Sequence, residues 1–207
     1  MRLLLFGAPG VGKGTQAKML GNLLNLPIVG VGDLLRGMSK DHPQYKLVHD
    51  QMAKGELVDY AITSKILMDH LAKSEYANGF ILDGWARIVD QFKYYDPNPD
   101  LVFFINIPHE EIIRRISGRR ICEPTGETFN INTMTEEEIK ACPGPLIQRK
   151  DDTEDAIKER LEIFYRDTTP VIEKYRRDGK LVEIDGMGSP AEVFERIKVA
   201  IAQKTKS

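Results

Sequence analysis

The chain has 207 residues, of which 42% are hydrophobic and 29% are charged, with a formal net charge of −2. This length allows one sizeable core with a small insert. The balanced charge excludes an overall attraction for nucleic acid or for an anionic membrane surface, and no apolar run approaches the ~20 residues needed to span a bilayer.

Short apolar runs recur along the chain and are separated by segments of helical length. The first run predicts a buried strand rather than a signal peptide, because a glycine-rich loop follows it at once. The runs are Arg2–Phe6, Pro27–Val31 (the weakest), Phe80–Asp83, Leu101–Ile107 and Leu181–Ile184. Strands buried on both faces have this continuous pattern. We therefore expect an α/β fold in which helices flank a five-stranded parallel sheet.

Three segments carry helical signals. Apolar side chains share one face after the first loop at Met19, Leu20, Leu23 and Leu24, and a second series runs through Ile157, Leu161, Phe164, Thr168 and Ile172. Pro170 is expected to kink or break that second helix. Near the carboxyl terminus, Ser189 and Glu192 form a capping box with proline at the first helical position, ahead of an apolar stripe at Val193, Ile197 and Ile201.

Two stretches interrupt the alternation of strands and helices. Residues 30–58 indicate a helical excursion after the second strand. Residues 118–152 are poor in apolar side chains and contain Arg119-Arg120 near their start and Arg149-Lys150 near their end. A long, weakly apolar insert in a compact domain is usually functional or disordered. We predict a core of residues 1–29, 59–117 and 153–207 that carries these two inserts.

The strongest motif is a glycine-rich loop, Gly7-Ala8-Pro9-Gly10-Val11-Gly12-Lys13-Gly14-Thr15, between the first strand and a helix. Glycines let backbone N–H groups converge on phosphate oxygens, the helix amino terminus adds its dipole, and Lys13 adds a charge. This pattern predicts a P-loop that binds a nucleotide polyphosphate.

Magnesium coordination departs from the usual P-loop. Gly14 occupies the position of the usual hydroxyl residue, and Thr15 follows one residue later. Because Mg²⁺ keeps much of its water shell, carboxylates can hold it through water. Asp83 is the best candidate and Asp33 the second, although a helix cap or a turn would also explain either residue. We expect no direct protein ligand to a metal.

Several motifs, taken in order, resemble those of the adenylate kinase family. They are Gly7–Thr15, Gly32–Arg36, Asp83–Arg87 with Gln91, Gly118–Arg120 and Arg149–Asp152. The resemblance covers nearly the whole chain and implies a P-loop NTPase core, a monophosphate-binding insert at 30–58 and a lid at 118–152. It also implies a Mg²⁺-dependent phosphotransferase that interconverts ATP plus AMP with two ADP, for adenine nucleotide homeostasis.

The resemblance assigns roles residue by residue. The catalytic cations would be Lys13, Arg87, Arg119, Arg149 and Arg160. ATP would contact Gly10, Val11, Gly12, Lys13, Gly14, Thr15, Arg115, Arg119, Thr128 and Phe129. AMP would contact Val31, Arg36, Glu56, Leu57, Val58, Gly84, Trp85, Ala86, Arg87, Gln91, Arg149 and Arg160. The acceptor is already an oxyanion, so the chemistry needs cations rather than a general base.

Two positions depart from the family pattern. Val31 replaces the usual threonine and removes a hydroxyl near the AMP base, so the strictness for AMP stays open. Ala86 replaces a proline that usually follows a cis bond. Because a cis bond before a residue other than proline costs about 3–4 kcal/mol, we expect a trans Trp85–Ala86 bond with a shifted Arg87.

The two cysteines bear on the lid and on the compartment. Cys122 and Cys142 keep one cysteine each of two pairs that bind zinc in some family members, so structural zinc is not expected. We also expect no disulfide and a cytoplasmic, monomeric protein with ATP, AMP and ADP as its ligands and with no nucleic acid or membrane partner.

Other functions were weighed against this interpretation. A kinase for UMP, CMP or GMP is the nearest alternative; Gln91 argues against it and Val31 leaves it open. A small-metabolite kinase would not explain Gly84–Arg87 or the arginine-flanked insert. The chain lacks the Asn-Lys-x-Asp motif of GTP-dependent switches, and Lys13 with the arginine set argues against an inactive nucleotide sensor.

Overall fold

The computed structural model describes residues 1–204 and confirms the expected α/β fold. The strands, in chain order, are β1 (Arg2–Phe6), β2 (Ile28–Gly30), β3 (Phe80–Asp83), β4 (Leu101–Asn106), β5 (Arg119–Cys122), β6 (Thr128–Asn130), β7 (Leu146–Ile147) and β8 (Leu181–Asp185). Five of them form a sheet in the order β2-β3-β1-β4-β8, and every neighbouring pair is parallel. The five predicted apolar runs are these five strands.

Helices cover the sheet and form the connections between its strands. They are α1 (Lys13–Leu24), α2 (Val31–Arg36), α3 (Tyr45–Lys54), α4 (Tyr60–Leu71), α5 (His109–Ser117), α6 (Glu136–Ile139), α7 (Glu154–Ile163), α8 (Thr169–Arg177) and α9 (Pro190–Lys204). Short 3-10 segments occupy Ser74–Tyr76 and Val89–Lys93. No helix within residues 1–204 is both long and apolar enough to cross a membrane.

The core lies on both faces of the sheet because parallel strands need helices on both sides. Leu3, Leu4 and Leu5 of β1 are at most 1% exposed, although their side chains alternate between the two faces. This double burial explains why the strands appear in the sequence as continuous apolar runs. It also fixes β1, and the loop that follows it, in the middle of the sheet.

The helical predictions are partly right. In α1 the buried residues are Gln16, Ala17, Leu20 and Gly21. Leu23 is 52% exposed, so its predicted place on the buried face is wrong. The helix turns Gln16 and Ala17 toward the sheet, and their short or polar side chains carried no apolar signal.

A change of helix type comes just before Pro170, where the sequence predicts a kink or a break. A π-helical segment at Phe164–Thr168 joins α7 to α8, and Pro170 lies in the first turn of α8. The lost N–H of proline is tolerated there because first-turn N–H groups have no intrahelical partner. At α9, Ser189 Oγ accepts from Glu192 N while Glu192 Oε2 accepts from Ser189 N, which confirms the capping box.

The second insert contains a three-stranded antiparallel sheet in the order β6-β5-β7, which the sequence did not indicate. The expectation of two separate thiols is wrong: Cys122 of β5 and Cys142, just after α6, form a disulfide with a Cα–Cα distance of 5.7 Å. A separation of 20 residues does not reveal that the turns of this sheet return the chain to the same place.

Candidate functional site

A cleft of about 1590 Å³ opens at the carboxyl edge of the parallel sheet. The loop after β1, Asp83 at the end of β3, Val31 after β2 and Met187 after β8 all line it. Ligands of open α/β sheets bind at this edge, where the connections leave in opposite directions. The parallel order of strands therefore brings together loops that are far apart in the sequence.

The P-loop has the backbone geometry that phosphate binding needs. Gly10 and Gly12 have φ angles of 86° and 100°, in the left-handed region that glycine adopts without strain. Gly12 caps α1, so the amino terminus of this helix opens into the cleft. Unsatisfied N–H groups and the helix dipole at such a terminus favour an anion.

Lys13 holds its ammonium group against the same loop. Lys13 Nζ donates to the carbonyl oxygens of Gly7, at 2.9 Å, and Ala8, at 3.0 Å. Burial lowers the pKa of Lys13 to about 8, with smaller contributions from the neighbouring Arg87, Arg160 and Arg119 and against the opposing effect of Asp83. An anion beside Lys13 would favour the charged form of its ammonium group and so oppose this lowering of the pKa.

Asp83 is the carboxylate closest to the start of α1. A Cβ atom on Gly14 would lie 3.9 Å from Asp83 Oδ2, so the missing hydroxyl of a usual P-loop leaves this oxygen facing the loop. Burial raises the pKa of Asp83, while Lys13 and Arg87 oppose the increase. A buried carboxylate with this tendency gains from a nearby cation, and the residues therefore fit a hydrated Mg²⁺.

Two aspartates organise the arginines of the cleft. Asp152, whose side chain is fully buried, accepts hydrogen bonds from Arg119 Nε at 2.7 Å, from Arg119 Nη2 and from Arg160 Nη1 at 3.1 Å. Asp151 lies 3.4 Å from both Arg36 Nη1 and Arg160 Nη1. Asp152 therefore pairs with two arginines, Arg119 and Arg160.

Arg120 does not join these pairs. Its side chain donates to the carbonyls of Ser117 and Arg119. Arg120 therefore points away from Asp151 and Asp152, because consecutive residues of a strand point to opposite faces.

The arginines crowd one another strongly. Burial and, to a smaller extent, the nearby Arg119 lower the pKa of Arg160 to about 10. Burial alone would raise the pKa of Asp151, but Arg160 and the other arginines around it outweigh burial and hold the pKa below its usual value. Among the described residues that line the cleft, nine are Lys or Arg and seven are Asp or Glu, although the whole chain is net negative. The cleft thus has a local excess of positive charge suited to phosphates.

The predicted AMP end of the cleft is apolar on one side. Val31 and Val58 are 5% and 7% exposed and line the cleft together with Leu57. The acceptor oxygen of Gln91 is already occupied within the protein: Oε1 accepts from the backbone N–H groups of Arg87, at 2.7 Å, and Ile88, at 3.3 Å. The group that Gln91 offers to a base is therefore its Nε2 donor.

The Trp85–Ala86 bond in the segment Gly84–Arg87 is trans, as expected. Ala86 takes a left-handed φ of 55°, which is uncommon for a residue with a side chain. Trp85 and Ala86 are fully buried and lie outside the wall of the cleft, whereas Gly84 and Arg87 line it. The ends of this segment therefore face the cleft while its middle packs into the core.

The predicted ATP end is formed by β6 of the second insert, the predicted lid, and by α5. Thr128 and Phe129 of β6 and Arg115 of α5 line the cleft together. The sequence analysis missed Glu111, Arg114, Met187 and Gly188 at this end. The position of Met187 and Gly188 after the last strand of a parallel sheet was a usable signal, as was the spacing of Glu111 three and four residues before two arginines.

Most of the predicted site residues lie in the wall of this one cleft. They are Gly10, Val11, Gly12, Lys13, Gly14, Thr15, Val31, Asp33, Arg36, Glu56, Leu57, Val58, Asp83, Gly84, Arg87, Gln91, Arg115, Arg119, Thr128, Phe129, Arg149 and Arg160. Asp33 is more exposed than Asp83, and its carboxylate pairs with Arg36 Nη2 at 2.6 Å. The cleft therefore brings together residues from the core and from both inserts.

Comparison with known proteins agrees with this geometry. Residues 5–180 match the family model described as adenylate kinase. The chain is 39% identical to an adenylate kinase of Ruminiclostridium cellulolyticum over 97% of this chain and 99% of that one. It is 38% identical to one from Thermoanaerobacter sp. over both full lengths, and 37% identical to one from Halobacterium salinarum over 98% of this chain and 97% of that one. The chain therefore belongs to the adenylate kinase family.

Proposed function

We propose that the chain catalyses the reaction of its family, the reversible conversion of ATP and AMP to two ADP, in the cleft at the carboxyl edge of the sheet. The observation that carries the proposal is the gathering of Lys13, Arg87, Arg119, Arg149 and Arg160 on one cleft from separate segments of the chain. Phosphoryl transfer depends mainly on positioning and on charge stabilisation, and this arrangement supplies both.

The donor phosphates would lie on the P-loop. The N–H groups at the start of α1 and the Lys13 ammonium would bind the β- and γ-phosphates of ATP. Asp83, with Asp33 further out, would hold Mg²⁺ through its water shell. The ion would neutralise phosphate charge when it is bound.

The acceptor would lie on the opposite side of the same arginines. Arg36 and Arg87 would hold the AMP phosphate, and both side chains line the cleft. Arg119, Arg149 and Arg160 would surround the phosphoryl group in transit. Its bond to ADP breaks as a phosphate oxygen of AMP forms the new one, so no side chain has to remove a proton.

Selection of the base would depend on few polar groups. Gln91 Nε2 would donate to N1 of adenine, and the apolar side chains of Val31, Leu57 and Val58 would contact the ring. Cytosine N3 is also an acceptor, but cytosine fills less of an apolar pocket. AMP is therefore the proposed acceptor.

The chain divisions and the setting form part of the same proposal. Residues 30–58 would bind AMP, residues 118–152 would close over ATP, and closure would exclude water from the phosphoryl group. We propose a monomer that acts in the cytoplasm with ATP, AMP and ADP. The net charge of −2 supports the absence of a nucleic acid partner.

The decisive experiment measures ADP formation from ATP and Mg²⁺ with AMP, GMP, CMP or UMP in turn. Fast turnover with AMP alone supports the proposal. Faster turnover with another monophosphate would reassign the acceptor, and ADP formation without any monophosphate would indicate an ATPase.

Two variants test the assigned roles. Lys13→Ala and Arg87→Ala should each lower kcat by at least 10²-fold, in the range seen when one charge-stabilising group is removed. The exposed Lys65→Ala and Arg177→Ala are matched controls that should keep the wild-type rate. Near-normal activity of either cleft variant in a folded protein would refute its role.

A further inference from the structure

Glu111 binds two arginines at the ATP end of the cleft. Its Oε1 accepts from Arg115 Nε at 2.7 Å and from Arg114 Nη2 at 2.9 Å, and its Oε2 accepts from Arg114 Nε at 2.6 Å. The Glu111 side chain is only 13% exposed, so it is not an ordinary solvated surface acid. All three side chains line the cleft.

Each arginine leads from Glu111 to a different part of the site. Arg115 Nη1 donates to the carbonyl oxygen of Gly186, after β8, at 3.2 Å, and lies 3.5 Å from that of Val11 in the P-loop. Arg114 Nη1 donates to the carbonyl oxygen of Asn132, just after β6 of the lid, at 2.6 Å. One carboxylate thus connects the side of the cleft that holds the P-loop with the lid.

The lid contact is reinforced by two amides. Asn132 Nδ2 donates to the carbonyl of Arg114 at 2.8 Å, and Asn130 Nδ2 donates to the carbonyl of Arg115 at 2.7 Å. The last turn of α5 and the strand β6 are therefore bound to each other in both directions. Among residues 1–204, Glu111 is the only acidic residue that forms a salt bridge with Arg114 or Arg115.

Fixing two arginine side chains has a large entropic cost, since each has many rotamers. Charge-assisted hydrogen bonds offset this cost in advance of ligand binding. The bonds from Arg114 hold the pKa of Glu111 to about 2 against the opposing effect of burial, and Arg115 adds to this lowering. The carboxylate therefore stays ionised over the whole working range of pH.

We propose that Glu111 is a positioning residue for the donor nucleotide: it fixes Arg115 against the base of ATP and fixes Arg114 on the lid. This inference rests on the proposed function, which places the ATP base beside Arg115. It concerns a residue that does not touch the transferring phosphoryl group. Loss of Glu111 should therefore weaken the binding of ATP through its base end and leave the phosphate end unchanged.

The test compares two ligands that share a phosphate chain but differ in the base. ATP reaches both ends of the donor site, whereas inorganic tripolyphosphate reaches the P-loop alone. Calorimetry should show that Glu111→Leu weakens ATP binding about tenfold, because two side chains must then be ordered on binding. Tripolyphosphate affinity should stay within about twofold, and kcat at saturating ATP should change far less than KM for ATP.

Two further variants complete the series. Glu111→Gln keeps one side-chain oxygen for Arg115 Nε but removes the charge, so it should fall between wild type and Glu111→Leu. Glu110→Gln removes a carboxylate from the neighbouring, exposed position of α5 and should bind ATP as the wild type does. If Glu111→Leu fails to fold, the comparison of Glu111→Gln with Glu110→Gln decides.

Two outcomes would overturn the proposal. An ATP affinity within about twofold of wild type in both Glu111 variants would exclude positioning by Glu111. Equal weakening of ATP and tripolyphosphate would mean that Glu111 supports the P-loop rather than the base end. Failure of the wild type to form ADP from ATP and AMP would instead refute the proposed function. The comparison of ATP and tripolyphosphate affinities would still test whether Glu111 positions the donor site.

Discussion

Asp152 offers the sharpest test of how the arginine cluster is stabilised. Its side chain is fully buried and neutralises Arg119 and Arg160, whose side chains are 13% and 11% exposed. Asp152→Asn keeps the shape but removes the charge and places an N–H donor against guanidinium donors. Breaking a buried ion pair by changing one partner costs about 3–5 kcal/mol, and we expect about 3 kcal/mol because the variant retains one oxygen.

The loss can be measured as a change in the free energy of unfolding. For a protein of this size, about 3 kcal/mol corresponds to a fall in Tm of roughly 6–12 °C. Asp155→Asn is the matched control, since Asp155 is an exposed acid in the first turn of α7, and it should cost less than about 1 kcal/mol.

Nucleotide binding gives a second measurement on the same variant. Phosphates can replace the missing negative charge beside Arg119 and Arg160, so saturating ATP and AMP should raise the Tm of Asp152→Asn more than that of the wild type. A loss of stability below about 1 kcal/mol, or equal stabilisation of both proteins by ligand, would show that Asp152 does not compensate these arginines.

Three further predictions follow from named contacts. Burial lowers the pKa of Lys13 to about 8, and bound phosphate should raise it, so ATP binding above about pH 8 should take up protons and weaken as pH rises. Calorimetry in two buffers with different ionisation enthalpies measures the proton uptake. An ATP affinity that does not change with pH in this range would contradict the prediction. Gly118→Ala places a Cβ 2.5 Å from Asn130 Oδ1 and 2.7 Å from Asn132 Nδ2. It should break the two hydrogen bonds that these side-chain amides donate to α5 and lower the free energy of unfolding by about 2 kcal/mol. An unchanged denaturation midpoint would show that both amides can move without loss of stability. Replacing both Cys122 and Cys142 by serine should speed hydrogen exchange in β5–β7 while the parallel sheet stays protected, because a disulfide that closes a loop of this size stabilises the folded state by about 3 kcal/mol. Equal exchange rates in the variant and the wild type would show that the disulfide does not stabilise the antiparallel sheet of the second insert.

The large parallel sheet could be predicted because its buried strands consist largely of consecutive apolar residues. Leu3, Leu4 and Leu5 are buried on both faces, so the run is apolar at every position. The strands of the lid sheet lack this signal: of the four residues of β5, only Cys122 is buried. The disulfide stayed hidden for the same reason, since pairing within the lid depends on turns rather than on apolar pattern.

In the candidate site, too, some features could be predicted from the sequence and others depend on tertiary contacts. The P-loop is local, so its residues and their order predict its geometry, including the place of Lys13 beside it. The roles of Asp151 and Asp152 depend on which arginine lies across from each carboxylate, and Arg120, one residue from Arg119, points elsewhere. Likewise, nothing in the sequence states that Gln91 Oε1 is already bonded to two backbone N–H groups.

The sequence alone determined the parallel core, the phosphate loop and the family to which the chain belongs, because each depends on neighbouring residues with a fixed spacing. Tertiary structure decided the partners of the arginines, the connection of Glu111 to the lid and the joining of the cysteines. Such contacts follow from distances between segments far apart in the chain, and a charge or a thiol has no periodic pattern that reveals its partner.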